Sequence, residues 1–284
     1  MEISNIKFRN YFLSVIKNIF CNVSNKIILP YYNNLKSFEI DTKEDDKDFV
    51  TVADKKTENY IEEKLSENFD HIKIIGEESF FEKNTKFNFL DENYYWTIDP
   101  IDGTKNYINS NENFCSMISL IFEKNPIASF IYFPIDQDMI FAFRNFGTYH
   151  YDFKKNYKTK LLLNDKFKSF GTGGTKGIPE PYRLEIFKNL KSKLKTSYIG
   201  SAGVETKHFV KNKFNFIIHG RVTPWDHSPL SLIIKEAGGT VLMMRDQSEF
   251  NLLSNGPILA SSSKICWDKI RDLLLPVNSK YRLN

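Results

Sequence analysis

The segment WTIDPIDGTKNY (residues 96–107) places two aspartates at the end of a predicted strand. Residues 94–98 (YYWTI) are aromatic and β-branched, which is typical of a buried strand. This strand would deliver Asp99 to its C-terminal end. Pro100 fixes φ and predicts a turn, so that Asp102 can point back toward Asp99. The sequence therefore predicts two neighbouring carboxylates at a strand end.

The two residues that follow predict an anion site beside these carboxylates. Gly103 lets the backbone approach a ligand closely, and Thr104 can begin a helix whose N–H groups suit a phosphate. Two close aspartates repel each other unless a cation lies between them, and hard oxygen ligands select Mg²⁺, Mn²⁺ or Ca²⁺ over zinc. A metal beside a phosphate pocket indicates phosphoryl chemistry. The alternative is a plain turn whose aspartates bond the local backbone.

Other carboxylates also lie where a predicted element meets a loop. Glu77 and Glu78 follow the predicted strand HIKIIG (71–76), and Asp226 precedes a predicted helix over residues 228–239. Each has a simpler interpretation on its own. Glu77 can be a surface glutamate, and Asp226 can be a helix N-cap.

Hydrophobic periodicity predicts alternating groups of helices and strands. Predicted helices cover an N-terminal apolar stripe (Phe8, Phe12, Val15, Ile19, Val23), a second stripe (Ala53, Thr57, Tyr60, Ile61, Leu65), residues 180–194, residues 228–239 with Pro229 in the first turn, and a last helix from Ser263. Predicted strands cover residues 71–76, 94–98, 114–122, 128–134, 139–145, 145–152, 214–220, 240–244 and 257–262. Residues 39–48 predict a loop, and the Lys-rich residues 154–168 predict a solvated hairpin edge.

The pattern predicts an α/β or layered α+β fold. The length of 284 residues fits a single catalytic domain, with a metal and phosphate half over about 1–150 and a substrate half over about 151–284 that contributes Asp226. No GxGxxG or GxxxxGK[ST] motif is present, so the common nucleotide-binding fingerprints are absent. The run GTGGTKG (171–177) lacks the lysine spacing of a phosphate loop and predicts a strand and loop before a helix.

Composition indicates a soluble globular protein. Hydrophobic residues make up 41% and charged residues 26%, and the net charge of +4 gives no argument for nucleic acid or membrane partners. The three cysteines (Cys21, Cys115, Cys266) are far apart and favour a reducing compartment. No signal peptide or membrane-length apolar run is apparent, so we expect a cytoplasmic protein.

Five ordered segments together resemble the inositol monophosphatase family. They are DFVTVAD (48–54), GEES (76–79), WTIDPIDGTKNY (96–107), GSAG (200–203) and PWDHSPLSLIIKEAGG (224–239). The resemblance implies an αβαβα sandwich, commonly a homodimer. It also implies Mg²⁺-dependent hydrolysis of a small phosphorylated alcohol or sugar by metal-activated water, with two to three ions per site.

The resemblance implies roles for individual residues. Glu77, Asp99 and the carbonyl of Ile101 would hold a first Mg²⁺, and Asp99, Asp102 and Asp226 a second, while Glu77 would help hold a third ion through water. Asp48 and Thr104 would support the nucleophilic water, and the amides of Gly103 and Thr104 would hold the phosphate. The residues implied in phosphate or substrate binding are Asp102, Gly103, Thr104, Gly200, Ser201, Ala202, His219, Arg221 and Asp226.

The substrate side departs from the family pattern. Members that take inositol phosphates often carry a glutamate seven residues before the WD aspartate, where this chain has His219, and an arginine three residues before the GSA-type glycine, where it has Ser197. The small residues that usually follow WD are replaced at Ser228, Pro229 and Leu230. We therefore expect an ester other than myo-inositol phosphate.

Several substrates remain open on this scaffold. They are 3′(2′),5′-bisphosphate nucleotides, histidinol phosphate and a sugar bisphosphate. Arg221 and the Lys-rich residues 154–168 favour a second phosphate, although Arg221 can also be a surface charge and His219 a half-buried histidine. His227 follows a predicted metal ligand but is not itself predicted to be one. A different class of function, a regulatory adaptor for protein or RNA, is disfavoured because the full carboxylate set is present.

Overall fold

Two mixed β-sheets, a two-stranded hairpin and three layers of helices make up the described part of the chain. The computed structural model describes residues 3–42, 49–83, 93–276 and 278–282, with the backbone alone for residues 81–83. The strands are numbered β1–β14 and the helices α1–α9 in chain order.

The N-terminal layer contains two long helices. α1 (Ile6–Val23) begins where the Asn5 side chain accepts hydrogen bonds from the Lys7 and Phe8 amides. It continues through a π-helical turn into α2 (Leu29–Tyr31). By length and composition alone the continuous helix Ile6–Tyr31 could cross a membrane, but its Phe12 and Phe20 are fully buried in the core.

A short hairpin leads into the next helix of this layer. β1 (Ile40–Thr42) pairs antiparallel with β2 (Phe49–Thr51), so the predicted loop over residues 39–48 is wrong at its start, and its end lies outside the described residues. α3 (Val52–Asn68) follows at once. Its N-cap is Thr51, which forms a reciprocal capping box with Asp54.

The larger sheet has seven strands in chain order. They are β3 (Lys73–Gly76), β4 (Tyr94–Asp102), β5 (Cys115–Phe122), β6 (Asn125–Phe133), β7 (Asp138–Phe143), β8 (Gly147–Asp152) and β9 (Tyr157–Leu161). β3 and β4 are parallel and the rest antiparallel. β9 is the last strand of this sheet, and its lysines are exposed, which confirms the predicted hairpin edge. Charged residues on an edge strand disfavour pairing with another chain.

Strand β4 differs from the prediction at its C-terminal end. The chain does not turn at Pro100 but remains extended to Asp102, with a register shift against β5 between Asp99 and Asp102. A bulge redirects side chains without ending the strand. The bulge therefore brings Asp102 close to Asp99, which is the effect that was predicted for a turn at Pro100. α5 (Thr104–Ile108) then begins at Thr104, as predicted.

The smaller sheet has five strands in the order β11-β10-β12-β14-β13. Their bounds are β10 (Phe170–Gly173), β11 (Lys195–Ser197), β12 (Phe216–His219), β13 (Thr240–Met243) and β14 (Ile258–Ser261). The accompanying helices are α6 (Tyr182–Lys193), α7 (Ala202–Val210), α8 (Pro224–Glu236) and α9 (Lys264–Leu274). α9 begins at the predicted Ser263 cap, whose Oγ accepts from the Cys266 amide.

Helix α8 begins four residues earlier than predicted. Its N-cap is Thr223, and Pro224 occupies the first helical position, where a missing N–H costs little. Asp226 therefore lies in the first turn of α8 rather than ahead of it, so the N-cap interpretation is wrong. Pro229 lies inside the helix and not in its first turn.

The helices and sheets stack as five layers. α1 and α3 cover one face of the larger sheet around Phe12 and Trp96, which stack 5.4 Å apart. α7 and α8 share a core with both sheets, including Met117 of β5 and Ile217 of β12. α6 and α9 cover the outer face of the smaller sheet. This αβαβα order confirms the predicted fold class, while the division into halves near residue 150 stays a prediction.

Candidate metal and phosphate site

Three carboxylates converge where β4 meets helix α8. Asp99 and Asp102 come from the bulged end of β4 and Asp226 from the first turn of α8, and one oxygen of each lies within 4.8 Å of the others. Asp99 and Asp102 are buried and Asp226 is half-buried. The bulge and the N-terminus of α8 thus bring together the three aspartates that the sequence predicts as metal ligands.

The start of α7 holds the carboxylate of Asp102. Its oxygens accept hydrogen bonds from Ser201 Oγ (2.6 Å), the Ala202 amide (3.1 Å) and the Gly203 amide (2.7 Å). Gly203 has no room for a side chain, since a Cβ there would lie 2.3 Å from Cys115 Sγ. Because three donors fix Asp102, its position is set before any ligand binds.

Burial and mutual repulsion disfavour the charged forms of these aspartates. Burial, followed by the charges of Glu77, Asp102 and Asp226, raises the pKa of Asp99 well above its ordinary value. Burial and Asp226 raise the pKa of Asp102 to about 6, although Ser201 and Gly203 oppose the rise. Such a cluster is destabilising at neutral pH without a compensating positive charge.

The donor set fits a hard divalent cation. Asp99 Oδ1 is buried and has no hydrogen-bond partner among the described residues. A buried carboxylate oxygen without a donor is rare in proteins unless an ion or water satisfies it. Oxygen donors from carboxylates are the ligands that Mg²⁺ prefers. Asp99, Asp102 and Asp226 therefore form a site that a magnesium ion would complete.

Glu77 approaches the cluster from a helix that the sequence did not predict. It is the first residue of α4 (Glu77–Lys83), is half-buried, and acts on the pKa of Asp99 through its charge. The buried carboxylate of Glu58 accepts hydrogen bonds from the Glu78 (2.8 Å) and Ser79 (2.7 Å) amides. Glu58 thereby holds the start of α4 and the position of Glu77.

The hydroxyl of Thr104 lies between two acceptors. Thr104 Oγ1 is 3.0 Å from the carbonyl oxygen of Ile101 and 3.2 Å from Asp54 Oδ1. The single proton of this hydroxyl therefore points toward these two acceptors. The lone pairs of its oxygen remain available to accept a hydrogen bond from water. The predicted partner Asp48 lies outside the described residues, whereas Asp54 was not predicted as a site residue.

A cavity of about 510 Å³ opens onto this cluster. Its volume suits a small-molecule ligand. It is lined by every predicted site residue in the described part of the chain: Glu77, Asp99, Ile101, Asp102, Gly103, Thr104, Gly200, Ser201, Ala202, His219, Arg221 and Asp226. Ser201 and Ala202 donate hydrogen bonds to Asp102. Their contact with substrate stays a prediction.

One wall of the cavity contains a chain of buried polar groups. His219 Nε2 lies 2.8 Å from Glu205 Oε2, and His219 Nδ1 lies 2.9 Å from His227 Nε2. Burial lowers the pKa of His219, but the hydrogen bond and charge of Glu205 outweigh it, and the net change is upward. Burial and then His219 hold the pKa of His227 well below its ordinary value.

The adjoining wall is formed by two closely packed segments that carry basic residues. A Cβ at Gly220 would lie 2.3 Å from the carbonyl oxygen of Lys176, and a Cβ at Gly177 would lie 2.8 Å from Arg221 Cβ. Gly177 also has φ of +93°, a conformation that favours glycine. Arg221 is exposed and forms no ion pair with the described residues.

Sequence reasoning missed four residues that shape the site: Asp54, Glu58, Glu205 and His227. Two of them carried a local signal. Asp54 lies three residues after Thr51 in a capping-box pattern, and Glu58 follows at i+4 on the same helical face. Glu205 carried none, because its partners Thr172 and His219 lie on other elements, and His227 was noted only for its position after Asp226.

Comparisons with known proteins agree with this geometry. The sequence model of the inositol monophosphatase family matches residues 14–276. The chain is 27% identical over 233 residues to an inositol-1-monophosphatase of Bacillus subtilis, covering 81% of this chain and 85% of that protein. It is 31% identical over 221 residues to an inositol monophosphatase of Dictyostelium discoideum, covering 76% and 79%.

The fold is also shared with solved structures. A staphylococcal IMPase-I complexed with products superposes with a TM-score of 0.76, covers 99% of each chain and is 19% identical. The likeness in structure shows the common fold, and the sequence match extends over the carboxylate cluster and both helices that hold it. The chain belongs to the inositol monophosphatase family, whose members are phosphatases that hydrolyse phosphomonoesters.

Proposed function

We propose that this protein is a Mg²⁺-dependent phosphomonoesterase that hydrolyses a small phosphorylated alcohol or sugar. The observation that carries the proposal is the buried cluster of Asp99, Asp102 and Asp226, with one oxygen of Asp99 left without a donor among the described residues, at the floor of a cavity. Two to three ions per site, a cytoplasmic location and a homodimer are parts of the same proposal.

The residues that would hold the metal ions are Glu77, Asp99, Asp102, Asp226 and the carbonyl of Ile101. When bound, divalent ions supply the positive charge that neutralises the phosphate dianion and lowers the pKa of a water molecule. The amides of Gly103 and Thr104 would hold the phosphate next to these residues. The carboxylates would thus hold the positive charge that attracts the ester, and Asp99 and Asp102 are buried away from bulk water.

Thr104 would position the attacking water. Its one proton points at the side where the Ile101 carbonyl oxygen and Asp54 Oδ1 lie. The hydroxyl oxygen would therefore accept a hydrogen bond from the water, which leaves a water lone pair directed at phosphorus. The water oxygen bonds to phosphorus and gives up a proton. The bond from phosphorus to the alcohol oxygen breaks, and this oxygen takes up the proton as the alcohol leaves. Asp48 stays a predicted partner of this water.

The test is phosphate release from a panel of esters with Mg²⁺ and with EDTA. The panel contains inositol 1-phosphate, phosphoadenosine phosphate, histidinol phosphate, fructose 1,6-bisphosphate and glycerol 2-phosphate. We expect Mg²⁺-dependent release that favours one ester. No release from any ester by a folded protein that binds Mg²⁺ would contradict the proposal and favour the adaptor role.

A 3′(2′),5′-bisphosphate nucleotide is the second candidate substrate. The observation that favours it is Arg221, an exposed cation in the cavity wall without an ion pair among the described residues. We expect Arg221→Gln to lower kcat/KM for phosphoadenosine phosphate about tenfold more than for glycerol 2-phosphate. Equal effects on both esters would contradict this candidate.

A further inference from the structure

Glu205 is a buried carboxylate in the cavity wall that the hydrolysis described above does not use. It lies in the first turn of α7, and its side chain is 4% exposed. Oε1 accepts a hydrogen bond from Thr172 Oγ1 (3.0 Å), and Oε2 lies 2.8 Å from His219 Nε2. One helical turn separates it from Ala202, whose amide donates to Asp102. Glu205 is therefore close to the reacting centre.

The hydrogen bonds around Glu205 have a direction that the backbone determines. His227 Nδ1 lies 3.0 Å from the Thr223 amide nitrogen and 3.2 Å from the Thr223 carbonyl oxygen. The amide hydrogen points at Nδ1 and can only donate, so that nitrogen is an acceptor and the proton of neutral His227 is on Nε2. His227 Nε2 then donates to His219 Nδ1 (2.9 Å), which leaves the proton of His219 on Nε2, facing Glu205. A doubly protonated His219 also carries a proton on Nε2. Glu205 thus accepts from His219 in either state.

This arrangement leaves acceptor capacity on Glu205 and none on His219. Both ring nitrogens of His219 are engaged, so they are not available to a ligand. A carboxylate offers about four acceptor positions, of which two are used here by Thr172 and His219. Because Glu205 also lines the cavity, the remaining positions can accept hydrogen bonds from a bound molecule.

We propose that Glu205 is a specificity-determining residue whose carboxylate accepts a hydrogen bond from a hydroxyl group of the leaving alcohol, with His219 and His227 as positioning residues. This proposal rests on the proposed phosphomonoesterase function. It assigns the ester's alcohol to a class that carries at least one hydroxyl group besides the esterified one.

The test compares wild type with Glu205→Gln on hydroxylated esters and on phenyl phosphate, which has no hydroxyl group. The substituted amide keeps the shape of the side chain and can still accept from His219, but it lacks the negative charge of the carboxylate. We expect the ratio of kcat/KM for inositol 1-phosphate or glycerol 2-phosphate to that for phenyl phosphate to fall about 10- to 100-fold. An unchanged ratio would overturn the proposal.

Two further outcomes separate this proposal from the proposed function. Wild-type protein that releases no phosphate from any ester would overturn both. Wild-type turnover that favours phenyl phosphate over every hydroxylated ester would overturn the role of Glu205 alone.

Glu236→Gln is the matched control. Glu236 lies on the last turn of α8, and its carboxylate also accepts two hydrogen bonds, from the Asn145 and Gly147 amides. We expect it to leave the selectivity ratio as in wild type.

The positioning role of His219 has its own test. A glutamine side chain at this position can present an N–H to Glu205, whereas a leucine side chain cannot. We expect His219→Gln to keep most of the hydroxyl selectivity and His219→Leu to lose about tenfold. Equal loss in both variants would reduce His219 to a packing residue. In wild type, nitrogen NMR at pH 8 should find a proton on His219 Nε2, and a bare Nε2 would overturn the hydrogen-bond chain.

Discussion

Asp99 lies at the centre of the carboxylate cluster and receives repulsion from three neighbours. Its pKa is raised by burial and by the charges of Glu77, Asp102 and Asp226, and its Oδ1 has no donor among the described residues. At neutral pH the ionised side chain therefore destabilises the metal-free fold. A cation bound beside Asp99 would offset this repulsion and would give Oδ1 a partner.

Replacing Asp99 by asparagine should separate stability from metal binding. The amide removes one buried negative charge, so we expect the metal-free variant to melt at a higher temperature than the wild type. Addition of Mg²⁺ should raise the melting temperature of the wild type and leave that of Asp99→Asn nearly unchanged. Thermal unfolding by circular dichroism with Mg²⁺ and with EDTA measures both effects. A lower melting temperature of the metal-free variant would argue against strain in the cluster.

Thr104 gives a second prediction at this scale. Thr104→Ala removes the hydroxyl that positions water, so kcat should fall about 10²-fold while KM rises much less. Thr104→Ser keeps the hydroxyl and should retain most of the turnover. Steady-state kinetics on the preferred ester distinguish the two. A rise in KM without a fall in kcat would assign Thr104 to ground-state binding instead.

Local patterns explain which residues could be predicted. Asp99 and Asp102 were predicted from their position at the end of an apolar strand, and the family resemblance added Asp226. The chain Glu205–His219–His227 joins three elements, and no periodicity in the sequence reports contacts between residues on α7, β12 and α8. Such contacts depend on how the layers stack. Asp48 remains a prediction, because it lies outside the described residues.

At the scale of elements, helix α4 is held by a packing constraint at Gly76. A Cβ at this position would lie 2.3 Å from Glu58 Cδ and 2.4 Å from Glu58 Oε1. Glu58 in turn accepts from the first amides of α4. Gly76, at the end of β3, therefore leaves the space that the Glu58 carboxylate occupies. Glu58 in turn holds the start of α4, which carries Glu77.

We expect Gly76→Ala to displace Glu58 and the start of α4. Overpacking of this kind costs about 1–3 kcal/mol of stability. Because Glu77 would move with α4, Mg²⁺ affinity measured by calorimetry should fall about tenfold. Gly174→Ala is the matched control for stability, since a Cβ there would meet nothing within 4 Å among the described residues. Equal stability and affinity in Gly76→Ala would show that α4 does not depend on this contact.

The regular elements were predictable to the extent that their periodicity was strong. α1, α3, α9 and the strands of the larger sheet follow apolar patterns that the sequence displays. α4, α7 and β11 were missed because they are short or mix buried and polar residues, as in α7, where Glu205 and Lys207 are both buried. The start of α8 was predicted four residues too late, at Ser228, whereas Pro224 occupies the first helical position.

At the scale of the whole molecule, the buried aspartates link stability to pH and to divalent cations. Asp102 has a pKa raised to about 6, and that of Asp99 is raised well above its ordinary value. A raised carboxyl pKa favours the protonated folded state. The stabilisation that this protonation gives the folded state is complete below the pKa of the unfolded chain, which is about 4. It is lost as pH rises through the pKa of the folded state. Mg²⁺ would remove this loss by compensating the charge.

We therefore expect the free energy of unfolding in EDTA to decrease as pH rises from about 4.5 to 7. Asp102, whose pKa is raised from 3.8 to about 6, alone accounts for a loss of about 2 kcal/mol across this range, at about 1.4 kcal/mol for each tenfold change in proton affinity. With Mg²⁺ the decrease should largely disappear at the upper end of this range. Urea unfolding across this range measures the effect. Stability in EDTA that rises steadily to pH 7 would contradict it.

Metal-dependent hydrolysis at the carboxylate cluster can be measured directly as phosphate release by the wild type and by Asp99→Asn over a Mg²⁺ titration, with EDTA as the metal-free reference. We expect the wild type to release phosphate only with Mg²⁺, at a rate that saturates as Mg²⁺ is added. A folded Asp99→Asn protein should lose about 10³-fold or more of the turnover. Release that persists in EDTA, or near-wild-type turnover by folded Asp99→Asn, would contradict a metal-dependent phosphatase built on this cluster.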